Sequence, residues 1–102
     1  MERKKVITFS DRFLNNLEEF GLDFNKTKQA ILSHIEEMNK DLDFDKRMFF
    51  YTPYVKDGKK YILAGYVTKK EKSIIIEASS IWDKGINPEE IVVIETNIRI
   101  IK

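Results

Sequence analysis

Two residue periodicities in one short chain predict an α+β fold: two N-terminal helices packed on one face of a mostly antiparallel sheet of four to five strands, in the order β-α-α-β-β-β-β. Three observations predict it. Apolar side chains recur at helical spacing between Ser10 and Met38, with polar caps and a glycine between the two segments. From Arg47 onward the period changes to two, in runs rich in aromatic and β-branched residues. Between two of those runs lies Lys56-Asp57-Gly58-Lys59, where Asp-Gly marks a two-residue hairpin turn because both positions tolerate positive φ.

The elements follow in order. Lys5 to Phe9 predicts a short strand, ended by Ser10, whose hydroxyl can cap the next helix. Asp11 puts a negative charge in the first turn, where the helix dipole favours it. Phe13, Leu14, Leu17 and Phe20 fall on one side of that helix, and Gly21 supplies its left-handed stop. Asn25 is the expected cap of a second helix, with Phe24 as a staple and Ala30, Ile31, Ile35 and Met38 as its apolar stripe. Asp41, Asp43 and Asp45 mark its exit. They alternate like the start of a calcium loop, but DLDFDKRMFFYT lacks the glycine and closing glutamate such a loop needs.

RMFFYTPYV and KYILAGYV then form the hairpin, with expected pairs Val55–Lys60, Tyr51–Ala64, Phe49–Tyr66 and Tyr54–Tyr61. Pro53 has no N–H to donate, which suggests an edge position or an irregularity in the first of these strands. Thr68 to Lys72 leads into a strand over 73–79. Asp83 to Glu90 reads as a loop or a single helical turn, and IVVIETNIRII as a last strand; Trp82 reads as a loop residue that anchors a partner or, as the better reading, the core. Phe13, Leu17, Ile31, Ile35, Ile76 and Ile94 are the positions where both periods point inward, and so the expected core.

With 102 residues and 42% hydrophobic content, the chain has material for one core, so residues 1–102 read as a single domain. The 18 Lys and Arg nearly cancel the 17 Asp and Glu, which removes any argument from global charge for nucleic acid or membrane. The distribution is uneven, however. Residues 1–46 hold 8 basic and 10 acidic side chains, and residues 47–102 hold 10 and 7, so the β half is positive by three. Cysteine is absent, which excludes disulfides, thiolate metal sites and cysteine nucleophiles. Neither a signal peptide nor a run near the roughly 20 apolar residues of a membrane helix is present, and a cytoplasmic, soluble protein is the expectation.

A sheet covered on one side leaves a second face, and the alternation assigns Tyr51, Lys60, Tyr66, Glu77, Glu95 and Arg99 to it. Hydroxyl, ammonium, guanidinium and carboxylate groups together can bind phosphate and move protons, which makes this face the candidate site. The same pattern also suits ordinary solvent-side residues of a one-sided sheet. His34, the one histidine, has no second histidine with which to build a relay or a zinc site, and reads as a boundary or surface residue. Lys56, Lys59, Lys60, Lys69, Lys70 and Lys72 cluster at hairpin ends, where charge protects an edge and can also meet phosphate.

The segment FSDRFLNNLEEFGLDFNKTKQAI resembles the opening of BrnT-like toxins of the RelE superfamily at Phe9, Asp11, Asn15, Gly21, Phe24 and Ala30. KKYILAGYV is similar to that family's Arg-Tyr-Ile-Ala-Ile-Gly strand at Lys60, Tyr61, Ile62, Ala64 and Gly65, and NIRIIK to its closing Arg-Ile-Ile strand. Phe20 departs from the pattern, standing where the family has histidine. The resemblance implies a small, metal-free and cofactor-free ribonuclease that blocks translation by acting on RNA or the ribosome, restrained by a protein antitoxin. Lys60 and Arg99 match basic positions of that family and would supply the cation, while on the chemistry of the same face Tyr66, Tyr51 or a carboxylate such as Glu95 would handle protons. The competing expectation is a non-enzymatic factor of a virus or mobile element that holds a protein or peptide partner on the same face or on the Pro53-bearing strand.

Overall fold

The computed structural model describes residues 3–83. Over them the chain runs β1 (Lys4–Phe9), α1 (Asp11–Glu19), α2 (Phe24–Met38), a 3₁₀ turn (Asn39–Asp41), β2 (Arg47–Lys56), β3 (Lys59–Lys69) and β4 (Ser73–Asp83). The fold is α+β, with four described strands in the spatial order β1-β4-β3-β2. β2, β3 and β4 form an antiparallel meander, and β1 joins β4 in parallel. A parallel neighbour needs a crossover, and α1 and α2 supply it. The expected last strand, with Ile94, Glu95 and Arg99, lies outside the described residues.

Each helix is closed by local chemistry. Ser10 Oγ accepts from the Phe13 N–H at 3.0 Å and donates to the Ser79 carbonyl at 2.8 Å, so the cap of α1 also ties the helix to β4. Gly21, at φ 63°, ends α1: its N–H meets the Glu18 carbonyl and the Leu22 N–H meets the Leu17 carbonyl. The cap of α2 is Asp23 rather than Asn25, because the Asp23 carboxylate reaches the Lys26 N–H at 2.9 Å and the helix begins two residues earlier. Ser10→Ala is expected to cost about 1–2 kcal/mol in urea denaturation, at the upper part of the capping range because the bond to Ser79 goes with it.

The core lies between the helices and one sheet face. Phe13, Ile31, Ile35, Leu63, Val67 and Ile76 are fully buried in it, and Leu17 packs against it half-buried. Leu14 departs from the expected stripe of α1 and is 40% exposed. The nine-residue α1 buries Phe13 alone completely, which leaves Leu14 on the flank.

The hairpin register matches the expected pairs, and Asp57 and Gly58 take φ of 50° and 79°, the geometry of a type I′ turn. β4 runs on to Asp83, so Trp82 belongs to a strand and not to a loop. It pairs with Ile62, and its Nε1–H donates to Ser80 Oγ at 2.7 Å. Between Ala64–Ser80 and Gly65–Ala78 the register slips by one residue, which makes Ser79 the extra residue of a bulge. The irregularity accommodates Ser10 from α1, and Ser79 Oγ donates to the Ala64 carbonyl at 3.2 Å.

Candidate functional site

Cross-strand partners share a face, so the register sorts the sheet residues directly. Met48, Phe50, Thr52 and Tyr54 of β2 point toward the helices with Val67, Gly65, Leu63 and Tyr61 of β3. Arg47, Phe49, Tyr51 and Val55 point the other way, with Thr68, Tyr66, Ala64 and Lys60 opposite them. Glu77 of β4 pairs with Tyr66 and joins that second face. The centre of the face is drier than alternation suggests, since Ala64 and Ser80 are 0% and 1% exposed. Its corner near β2 is open, with Tyr51 45% exposed.

That corner is where the structure concentrates function-bearing side chains. The Arg47 guanidinium lies 3.9 Å from the centroid of the Tyr66 ring. It also forks onto Glu77, with Nε donating to Oε1 at 3.0 Å and Nη2 to Oε2 at 3.2 Å. Stacking and forking together hold a planar guanidinium in one orientation, which a lysine at position 47 would not achieve. Phe49 meets Tyr66 edge-on at 5.7 Å and Tyr51 at 6.1 Å, so three aromatic rings continue from the cation along β2 and β3. Two of the five guanidinium N–H groups are used on Glu77, and others remain for an anion.

Of the residues assigned to the site from sequence, Tyr51, Tyr66 and Glu77 share this neighbourhood. Lys60 does not. It is on the same face but six residues from Tyr66 along β3, about 20 Å at the rise of a strand. There it sits beside the hairpin turn and lines a small recess with Phe20, Lys59, Tyr61 and Asp83. Glu95 and Arg99 lie outside the described residues. Arg47 and Phe49 are the members that sequence reasoning missed. The hairpin register contained the signal for both, since once Phe49 opposes Tyr66, the residue two before it must flank the same ring.

A second feature lies on the outer flank of β2. His34 and Met38 of α2, with Phe49, Phe50, Tyr51 and Pro53 of β2, line a recess of about 380 Å³. His34, half-buried at the helix–sheet boundary as expected, shares a hydrogen bond of 2.7 Å between its Nδ1 and the Oγ1 of the buried Thr52. That bond fixes the ring and turns Nε2 away from Thr52. No described helix is long and apolar enough to cross a membrane. Among the described residues no group of three or more His, Asp or Glu is placed to hold a metal ion. Comparison of the chain with protein-family models, with curated proteins and with solved structures finds no match.

Proposed function

We propose that the chain is a cytoplasmic RNA-cleaving, translation-blocking protein whose chemistry resides in the Arg47–Tyr66–Glu77 corner of the open sheet face. The single observation that carries this reading is the guanidinium that stacks on a phenol ring while forked to a carboxylate, since metal-free cleavage of RNA asks for those three group types in one place. The aromatic rings beside it, half-buried Phe49 and exposed Tyr51, suit the stacking of unpaired bases. Lys60, at the far end of β3, would meet a more distant phosphate of the same strand and not the scissile one.

In this mechanism the guanidinium binds the scissile phosphate through the N–H groups not used on Glu77. The Glu77 carboxylate takes the proton of the 2′-hydroxyl as its oxygen attacks phosphorus. A phenol, Tyr66 or Tyr51, gives a proton to the departing 5′-oxygen as the P–O5′ bond breaks. The products are a 2′,3′-cyclic phosphate and a free 5′-hydroxyl, and solvent resets the two protein groups.

Expression of the wild-type chain in a bacterial host is expected to arrest growth, and purified protein to cut messenger RNA in a translation extract. Arg47→Ala should lower cleavage on the order of 10²-fold, the cost of removing one preorganised anion-stabilising group. An exposed ion pair contributes up to about 1 kcal/mol, so that variant should remain folded. Glu77→Gln keeps the shape and removes the base, and it should behave alike. If the wild-type protein neither slows growth nor cuts RNA, the ribonuclease reading falls.

A further inference from the structure

We propose that the outer edge of β2, from Phe49 to Pro53, binds an extended acidic peptide segment as an added strand, with one apolar side chain seated in the recess between His34 and Met38. The backbone parity points to it first. A two-residue turn makes Lys56 and Lys59 a hydrogen-bonded pair, and the alternation that follows turns the N–H and C=O of Tyr54, Thr52, Phe50 and Met48 toward β3. Those of Phe49, Tyr51 and Val55 therefore face outward, and β2 is the last of the described strands on that side. Among the described residues no backbone group pairs with them. Pro53 occupies an outward slot, where its missing N–H costs β3 nothing and its carbonyl still accepts.

The recess lies alongside this same stretch. A residue opposite Tyr51 would put its own side chain on the Tyr51 side of the sheet, and its neighbours would then point toward α2, over His34, Met38 and Phe50. The lining is mostly apolar, with one imidazole held by Thr52 as its polar group, which suits a medium-sized apolar or aromatic side chain.

Charge selects among occupants. The hairpin over residues 47–69 holds Arg47, Lys56, Lys59, Lys60 and Lys69 against Asp57 alone, a net of +4. Lys59 and Lys60 at its turn take no part in an ion pair among the described residues. A second copy pairing through the same edge would set two positive hairpins against each other, whereas a segment carrying Asp or Glu beyond its apolar residue complements the edge. This inference does not rest on the ribonuclease reading: Phe49 and Tyr51 border both sites, but the peptide is held by the outward amides of β2 and by the α2 side of the sheet.

Selection of a phage-displayed library of twelve-residue peptides on the full chain tests it, with the enriched sequences then made synthetically and titrated without RNA. The expected peptides alternate β-forming residues around one apolar side chain and carry acidic residues toward one end. Their binding should slow hydrogen exchange at the Tyr51 and Phe49 amides and weaken as salt rises. Tyr51→Pro removes the outward N–H without touching the β3 ladder, and should weaken binding about tenfold while the thermal unfolding of the protein alone stays close to wild type. Lys59→Glu should weaken it too. No enrichment, enrichment of basic sequences, or equal binding by Tyr51→Pro would overturn the proposal. So would self-association that protects the same amides, or their protection by a ten-nucleotide oligouridylate and not by any selected peptide.

Discussion

Gly65→Ala is expected to lower the stability of the chain by about 3 kcal/mol, at the upper end of what overpacking a core costs. A methyl group at this position would stand 2.1 Å from the Glu77 carbonyl oxygen, 2.9 Å from Phe50 Cε2 and 3.0 Å from the Ala78 Cα. Two of the three neighbours are backbone atoms of β4, so no side-chain rotation relieves the contact. β4 would have to move away from β3 at the bulge where Ser10 also attaches α1. Urea unfolding followed by far-ultraviolet circular dichroism gives the measurement. A loss under about 1 kcal/mol would show that β3 and β4 do not approach each other as described. Gly58→Ala makes an informative comparison, because nothing lies within 4 Å of the added methyl and only the positive φ resists it. Its cost should stay near 1–2 kcal/mol.

Phe13→Ala should cost about 3–5 kcal/mol. Its side chain is 0% exposed, and it is the one residue of α1 that is completely buried. The ring sits 5.4 Å from Phe9 of β1 and belongs to the same core as Ile31 and Ile35 of α2, so its removal opens a cavity where both helices meet the sheet. The Ser10 cap holds the Phe13 backbone in place and limits collapse into that space. Leu14→Ala, one position along and 40% exposed, should fall within about 0.5 kcal/mol of wild type. Comparable losses for the two variants would mean that the inward face of α1 has been misplaced.

Both variants bear on what could be read before any coordinates. The inward position of Phe13 follows from helical spacing counted from a marked cap, the burial of Ile31 and Ile35 from the same counting, and that of Ile76 from the strand period of two. The shared periodicity also admitted Leu14, and a nine-residue helix is too short for period alone to separate the centre of a stripe from its margin. The steric need for glycine at 65 is not visible in its neighbours KKYILAGYV, because the atoms that crowd it come from β4 and Phe50, which are distant in sequence.

The candidate site divides the same way. Tyr51 and Tyr66 could be placed on one face because a two-residue turn transmits register down both strands of a hairpin without slippage. Arg47 was within reach of that argument, through Phe49 opposite Tyr66. Its fork with Glu77 was not, since it requires the β3–β4 register, and a one-residue bulge at Ser79 shifts every pair on one side of it. Lys60 shares the face but not the neighbourhood, because alternation reports which side a residue occupies and says nothing about distance along the strand.

The sequence by itself determined the element order, the hairpin and its turn, the stop at Gly21 and most of the described core. These are decided by groups a few residues apart, such as a serine before a helix, a glycine at its end or an Asp-Gly between two alternating runs. Tertiary structure alone decided that β1 lies parallel to β4, that Ser79 bulges to receive Ser10, and that Trp82 belongs to a strand. It alone brought Arg47 onto Tyr66 and Glu77 and left the outer edge of β2 beside a recess. Those outcomes depend on how helices and strands from opposite ends of the chain settle against one another, a balance of packing and backbone pairing that no short stretch of sequence carries.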